Sequence, residues 1–323
     1  MNQRRSFLLA ALATLSCAVS CAASAAEFPT RPVKIVVAYP AGSTMDVVAR
    51  MLATELQKNA GEAFIVDNRP GGAGQIGAEF VAKSPPDGYT LFISGSSTHS
   101  ANPALYKQLR YDPVKDFSPI IQIASLTYAL VASADAPVKT MNDLVKYASG
   151  RPQGVSYAYG SQLGQIAAAT IGKMAGIRTV GVPYKGQPPA VTDLMGGHVS
   201  FMVADIPVLL PHVQSGKLTA LAVLNNTRSP LMPQVRTLKE QGLGGYDLAG
   251  WIGLSAPANT PPELVRTLSR AAAKVLGDAG FRARLSAMGM EYEPNSPEEF
   301  GQLVSSQLDV WSRKVRDAGI SPE

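Results

Sequence analysis

Cysteine and histidine are scarce in this chain: two cysteines and three histidines among 323 residues. Both cysteines, Cys17 and Cys21, fall within residues 1–26, which start with Arg4 and Arg5, continue with an apolar stretch over 7–19, and end in Ala23-Ser24-Ala25. That order of charge, apolar core and A-x-A signal is the pattern of an export leader, and it predicts cleavage near Ala25 or Ala26 and a periplasmic mature protein. Arg4-Arg5-Ser6-Phe7-Leu8 also fits a twin-arginine signal, and a general secretory signal is equally compatible. The apolar stretch is shorter than the roughly 20 residues of a membrane-spanning helix and is broken by Ser16. Neither cysteine follows the Leu-small-small approach of a lipoprotein site. Cleavage therefore removes disulfides, iron–sulfur ligation and a thiol nucleophile together.

The histidines, His99, His198 and His212, show no i,i+4 pair and no accompanying cluster of carboxylates or thiols, which argues against a zinc site. No G-x-S-x-G elbow and no G-x-x-x-x-G-K-S/T phosphate loop is present. An enzyme that processes carboxylates would have to work with lysines and carboxylates alone, and no local arrangement singles any out. His99 sits in the 94–102 segment, read as a loop, where ligand contact, loop capping and a solvent role all remain open. Charge is sparse too, at 16% of residues, and the formal +5 falls to about +3 once Arg4 and Arg5 leave. Without aromatic interleaving, that bias suits a small anion and does not support nucleic-acid binding.

What remains, about 298 residues, is enough for a large core and for two lobes. Five Gly-, Ser- or Pro-rich runs stand ahead of helical patterns. They are Pro40-Ala41-Gly42-Ser43-Thr44, Pro70-Gly71-Gly72-Ala73-Gly74, Ser94-Gly95-Ser96-Ser97-Thr98, Tyr159-Gly160-Ser161-Gln162-Leu163-Gly164 and Pro183-Tyr184-Lys185-Gly186. Short apolar strands at 33–38, 64–66 and 89–94 alternate with helices at 43–59 and 75–83, which argues for a largely parallel α/β sheet. The long apolar run 119–133 reads as a central strand or as a strand crossing between lobes. A second series of strands follows at 155–159, 179–183 and 199–203, with helices at 141–148, 165–174 and 188–195. A return begins at 218–224, a second crossing strand lies at 251–256, and helices close the chain at 261–276, 279–288 and 297–318. The resulting division is residues 27–125 for the start of lobe 1, 126–224 for lobe 2, and 225–323 for the return to lobe 1.

Helix starts leave backbone N–H groups unpaired and carry positive potential, so several facing one cleft would receive an anion. The candidate ligand-binding residues are Ala41, Gly42, Ser43, Thr44 and Asp46; Gly72, Ala73 and Gly74; Ser94, Ser96, Ser97 and Thr98; and Gly160, Ser161, Gly164 and Asp205. Asp46 serves equally well in a capping arrangement with Ser43, Asp205 in a turn cap, and Lys185 in an exposed turn. Gly72-Ala73-Gly74-Gln75-Ile76-Gly77 fits G-x-G-x-x-G, but residues 67–71 intervene where a dinucleotide fingerprint needs an immediate strand-to-helix turn. Tight packing of a helix on the sheet explains those glycines as well.

In sequence order, Tyr39-Pro40 through Asp46-Val47-Val48-Ala49-Arg50, Val66-Asp67-Asn68-Arg69-Pro70-Gly71-Gly72-Ala73-Gly74, Pro86-Asp87-Gly88-Tyr89-Thr90-Leu91, Asp116-Phe117-Ser118-Pro119-Ile120, Val182-Pro183-Tyr184-Lys185-Gly186, Gly216-Lys217-Leu218, Leu221-Ala222-Val223 and Trp251-Ile252-Gly253-Leu254 resemble the substrate-binding proteins of the tripartite tricarboxylate transporter family, the Bug receptors. The resemblance covers nearly the whole mature length. It implies an α/β, two-lobed periplasmic-binding-protein fold of type II-like form, with parallel-rich sheets, crossing strands and a ligand cleft. It further implies no cofactor, no metal and no catalysis, and closure around a small organic anion for delivery to a membrane permease. A monomer is expected, and a sensory receptor of the same fold is the alternative. Family ligand contacts come from the loops around residues 40–46, 72–74 and 94–98, the helix entrance at 160–164, and the region near Asp205. Two departures stand out: Ala41 replaces a usual Gly, and Leu163, Gln165, Ile166 and Ala167 replace a usual Ser/Thr-rich entrance. A ligand with one carboxylate and an apolar or aromatic remainder is the expectation that follows.

Overall fold

The computed structural model describes residues 28–244, 246, 248–292 and 295–323. The expected export leader, with Cys17, Cys21 and its cleavage site, lies outside the described residues.

Strand β1 (Val33–Val37) lies between parallel neighbours β2 (Phe64–Asn68) and β3 (Thr90–Gly95). Helix α1 (Thr44–Ala60) leads from β1 to β2, and α2 (Gln75–Ala82) from β2 to β3. Val48, Ala49, Leu52, Ala53 and Leu56 recur every three or four residues along α1 and are buried, as an amphipathic helix against a sheet requires. Gly77 lets α2 come down on the end of β1, since a methyl group there would fall 2.9 Å from the Ala38 Cα. Of the two explanations for the G-x-G-x-x-G pattern, close packing is the one this contact supplies.

After β3 the pairing turns antiparallel, first with β9 (Ala249–Pro257), which pairs in turn with β4 (Phe117–Ser133). Residues 117–127 of β4 pair with β9, while 128–133 pair with β7 (Phe201–Asp205) and β8 (Leu218–Val223). The long apolar run is therefore at once an interior strand and the crossing strand. Its length follows from serving two halves of the sheet, with both faces covered. β7 lies parallel to β5 (Val155–Tyr159), and β5 to β6 (Thr179–Pro183) at the edge.

Around the second half pack α4 (Met141–Ser149), α5 (Gln162–Met174), α6 (Gln187–Met195) and α7 (Ile206–Gln214). Helix α5 starts three residues earlier than the sequence pattern suggested, because Ser161 Oγ caps it by accepting from the Gly164 N–H at 3.2 Å. Helix α7 lies in a stretch, 206–214, to which the sequence pattern assigns no element. Pro207 sits in the first turn, where its missing N–H would have had no acceptor. The 94–102 segment is also no loop: it passes from β3 into a helical turn (Ser97–Ala101) and then α3 (Asn102–Leu105), all well buried. The chain ends with α8 (Pro262–Gly277), α9 (Ala279–Ala287) and α10 (Pro297–Ala318). A capping box between Ser296 and Glu299 opens α10, and Phe300, Val304, Trp311 and Val315 form its buried stripe.

Candidate ligand-binding cleft

Two adjoining hollows open where the chain leaves β1 and β5, sharing Tyr39 and Gly160 in their walls. The inner one has a volume of about 30 Å³ and the outer one about 380 Å³. This is the place expected of an α/β sheet, outside the carboxyl ends of its strands.

The inner pocket is built from helix starts. Thr44 and Met45 begin α1, Ser161 caps α5, Gln187 begins α6, and Asp205 caps α7. Ser43 Oγ accepts from the Asp46 N–H at 3.3 Å, while the first amides of α1 and α5 have no acceptor within their own helices. Four positive helix ends thus surround one small volume. Asp205 is the negative group within it. Its Oδ1 accepts from Thr44 Oγ1 at 2.6 Å and from the Val208 N–H at 3.4 Å, and its Oδ2 accepts from Gln187 Nε2 at 2.6 Å. Burial pushes the Asp205 carboxyl above the usual carboxylate range, with the bonds from Thr44, Gln187 and Val208 pulling against it. Thr44 belongs to the first half of the fold and Asp205 to the second, so this bond ties the halves across the cleft.

The backbones meet there as well. A methyl group on Gly160 would fall 2.1 Å from the Gly186 carbonyl carbon, and one on Gly186 would fall 2.6 Å from Pro40 Cδ. Only glycine at both positions permits this approach. Three buried polar atoms of wall residues make no well-formed hydrogen bond, the Tyr39 hydroxyl, Gln162 Oε1 and Gln187 Oε1, although Ser97 stands near the first and Tyr106 near the second. Buried polar atoms normally find partners, so unpaired ones on a cavity wall mark where a bound molecule can bond. Burial holds the Tyr39 hydroxyl protonated, with its pKa pushed up to about 12.

Of the residues nominated from sequence, Ser43, Thr44, Ser97, Gly160, Ser161 and Asp205 line the inner pocket, and Gly72, Ala73, Gly74 and Gly160 line the outer chamber. The others face elsewhere. Ala41 and Gly42 are exposed, and the Gly42 N–H donates to Asp46 Oδ2 at 3.0 Å. The Asp46 carboxylate is also held by Arg50 and Asn68 beneath the start of α1. Burial opposes its ionisation, but those donors outweigh burial and hold its pKa below the ordinary value. Ser94 bonds Ser255, Ser96 accepts from the Trp251 N–H, and Thr98 bonds the Gly95 carbonyl. Gly164 packs against the Val203 carbonyl, where a methyl group would sit 2.5 Å away. His99 reaches neither hollow nor solvent. It is packed among Phe92, Phe117 and Trp251, and burial lowers its pKa to about 3.

The expected apolar entrance at the start of α5 needs the same correction. Leu163, Ile166 and Ala167 turn into the core, while Gln162 and Gln165 face the outer chamber. Helical periodicity alone would have separated these two faces. Sequence reasoning also missed Tyr39, Tyr106 and Tyr159, which line the outer chamber. Tyr39 stands directly before the first glycine-bearing turn and Tyr159 opens the fourth, a signal that was available.

The tripartite tricarboxylate transporter family receptor pattern matches residues 48–320. The chain belongs to this family. It is 30% identical to Protein BugT of Bordetella pertussis over 324 residues, covering 99% of each chain. Among solved structures, Rpa4515 of R. palustris, determined with adipate, superposes with a TM-score of 0.89 at 34% identity, covering 92% of this chain and 100% of that one. MatC of Rhodopseudomonas palustris, determined with bound malate, gives 0.85 at 30% identity, covering 89% and 100%. As a member of the family, this protein is a periplasmic solute receptor, not an enzyme, and its mixed sheet with interspersed helices is the α/β periplasmic-binding-protein fold.

Proposed function

We propose that this receptor closes around one small organic carboxylate and delivers it to the permease subunits of a tripartite tricarboxylate-type transporter. The observation that carries the proposal is the convergence of four helix N-termini, with the Ser43, Thr44, Ser97 and Ser161 hydroxyls, on the inner pocket. Such an array provides donors and positive potential, and the one carboxylate within it, Asp205, is already engaged by Thr44, Gln187 and Val208. The adipate and malate of the two relatives agree with a carboxylate ligand. Residues 27–125 with 225–323 form one lobe and 126–224 the other, β4 and β9 carry the hinge, and the leader is removed near Ala25 or Ala26. The receptor acts as a monomer.

Within the carboxylates, the proposed ligand carries one carboxylate and an apolar or aromatic remainder. The inner pocket takes the charged group, and the outer chamber, lined by Tyr39, Tyr106, Tyr159 and Tyr184, takes the rest. Mass spectrometry of acid released from freshly purified protein, followed by calorimetric titration with benzoate, succinate and citrate, tests this. A released organic acid and tighter binding of benzoate are expected. A preference for the polyacids sinks the monocarboxylate assignment, and indifference to every acid sinks the receptor reading.

A further inference from the structure

Beyond α10 the chain turns at Gly319 and runs back beside the segment that follows α3. The Glu323 N–H donates to the Leu105 carbonyl at 2.8 Å, and the Lys107 N–H donates to the Glu323 carbonyl at 2.7 Å. Helix α10 fixes where this return begins, because its buried stripe packs on β4 and Lys173 Nζ of α5 bonds the Asp317 carbonyl at 2.8 Å. The return brings Ile320, Ser321 and Glu323 into the wall of the outer chamber. Only two charged side chains line that chamber, Lys185 and Glu323, and neither takes part in an ion pair among the described residues.

We infer that Glu323 is a specificity-determining residue of this site, one that balances Lys185 and turns away ligands bearing a second carboxylate in the outer chamber. The inference rests on the carboxylate reading of the inner pocket. Once a first carboxylate occupies the helix ends, the remainder of the ligand lies in a partly enclosed space whose charged lining side chains are Lys185 and Glu323. A neutral remainder loses nothing there. A second carboxylate is drawn by Lys185 but repelled by Glu323, and it gives up part of its hydration. Burial first, and the Glu323 carboxylate second, raise the pKa of Tyr106 and Tyr159, so the Glu323 charge is felt by the tyrosines that line the chamber.

The test compares matched acids, hexanoate with adipate and benzoate with terephthalate, by calorimetry on wild type, Glu323→Gln and Glu323→Lys. Glu323→Gln is expected to shift the affinity ratio toward the diacid by about fivefold, and Glu323→Lys by about twentyfold, with monoacid affinity nearly constant and both shifts shrinking at high salt. An unchanged ratio in both variants overturns the inference. So does equal weakening of both acids, because a merely structural role of the return segment would act on every ligand alike. Failure of all four acids to bind wild type instead removes the carboxylate reading, and the inference with it.

Discussion

The two halves of the fold bring the same device to the cleft, a capped helix start, but they leave it in different states. In the first half the polar groups around α1 are already engaged. Asp46 is held by Gly42, Arg50 and Asn68, Ser96 by Trp251, and Ser94 by Ser255. In the second half Gln162 Oε1 and Gln187 Oε1 remain unpaired on the cavity walls, and Lys185 has no ion-pair partner among the described residues. The first half is thus largely engaged, with the Tyr39 hydroxyl its unpaired wall atom, and the second keeps more bonding capacity in reserve for what arrives. Rigidity on one side limits the ordering cost of binding, while the open groups on the other determine which remainder is accepted.

The second half offers the sharpest way to break this comparison. Gly160→Ala drives a methyl group into the Gly186 backbone, which has no flexible end to yield, and is expected to weaken carboxylate binding at least about a hundredfold by calorimetry. Gly186→Ala meets only the edge of the Pro40 ring and is expected to cost less, about tenfold. Next comes Thr44→Val, which removes the bond joining the halves and leaves buried Asp205 one donor short. A roughly tenfold loss, seen mainly as faster release in stopped-flow traces, is the expected outcome.

Asp46→Asn separates platform from site. The folded-state pKa of Asp46 lies below its unfolded value, so its contribution is present above the ordinary carboxylate range and is lost as pH falls through the folded value. Denaturation should show a deficit of about 1–2 kcal/mol near neutral pH that closes in acid, with ligand affinity changed less than about twofold. The smallest effect belongs to Gln162→Leu. It removes an unpaired buried carbonyl, so stability should hold, while the ranking of ligands by calorimetry shifts about threefold. A uniform change across all ligands would mean that the second half carries no discrimination.

Much of the inner pocket was legible in the chain. Ser43, Ser161 and Asp205 announce helix starts through local chemistry, a hydroxyl or carboxylate followed by amides that need an acceptor, and all three line the inner pocket. Thr98, Ser94 and Ser96 looked no different in sequence, yet they bond Gly95, Ser255 and Trp251, two of which lie more than 150 residues away. His99 illustrates the same limit, because its aromatic surroundings come from β3, β4 and β9 together.

The sequence by itself determined the strand–turn–helix alternation, the sparse thiol and imidazole chemistry, and the set of glycine-bearing helix entrances, since each depends on spacing and residue type within a few positions. Tertiary structure alone decided that β4 serves both halves, that Thr44 meets Asp205, and that residues 320–323 return to the chamber wall. Those outcomes depend on pairings between distant segments. A local pattern states what a residue can bond; only the packed sheet sets which partner stands within reach.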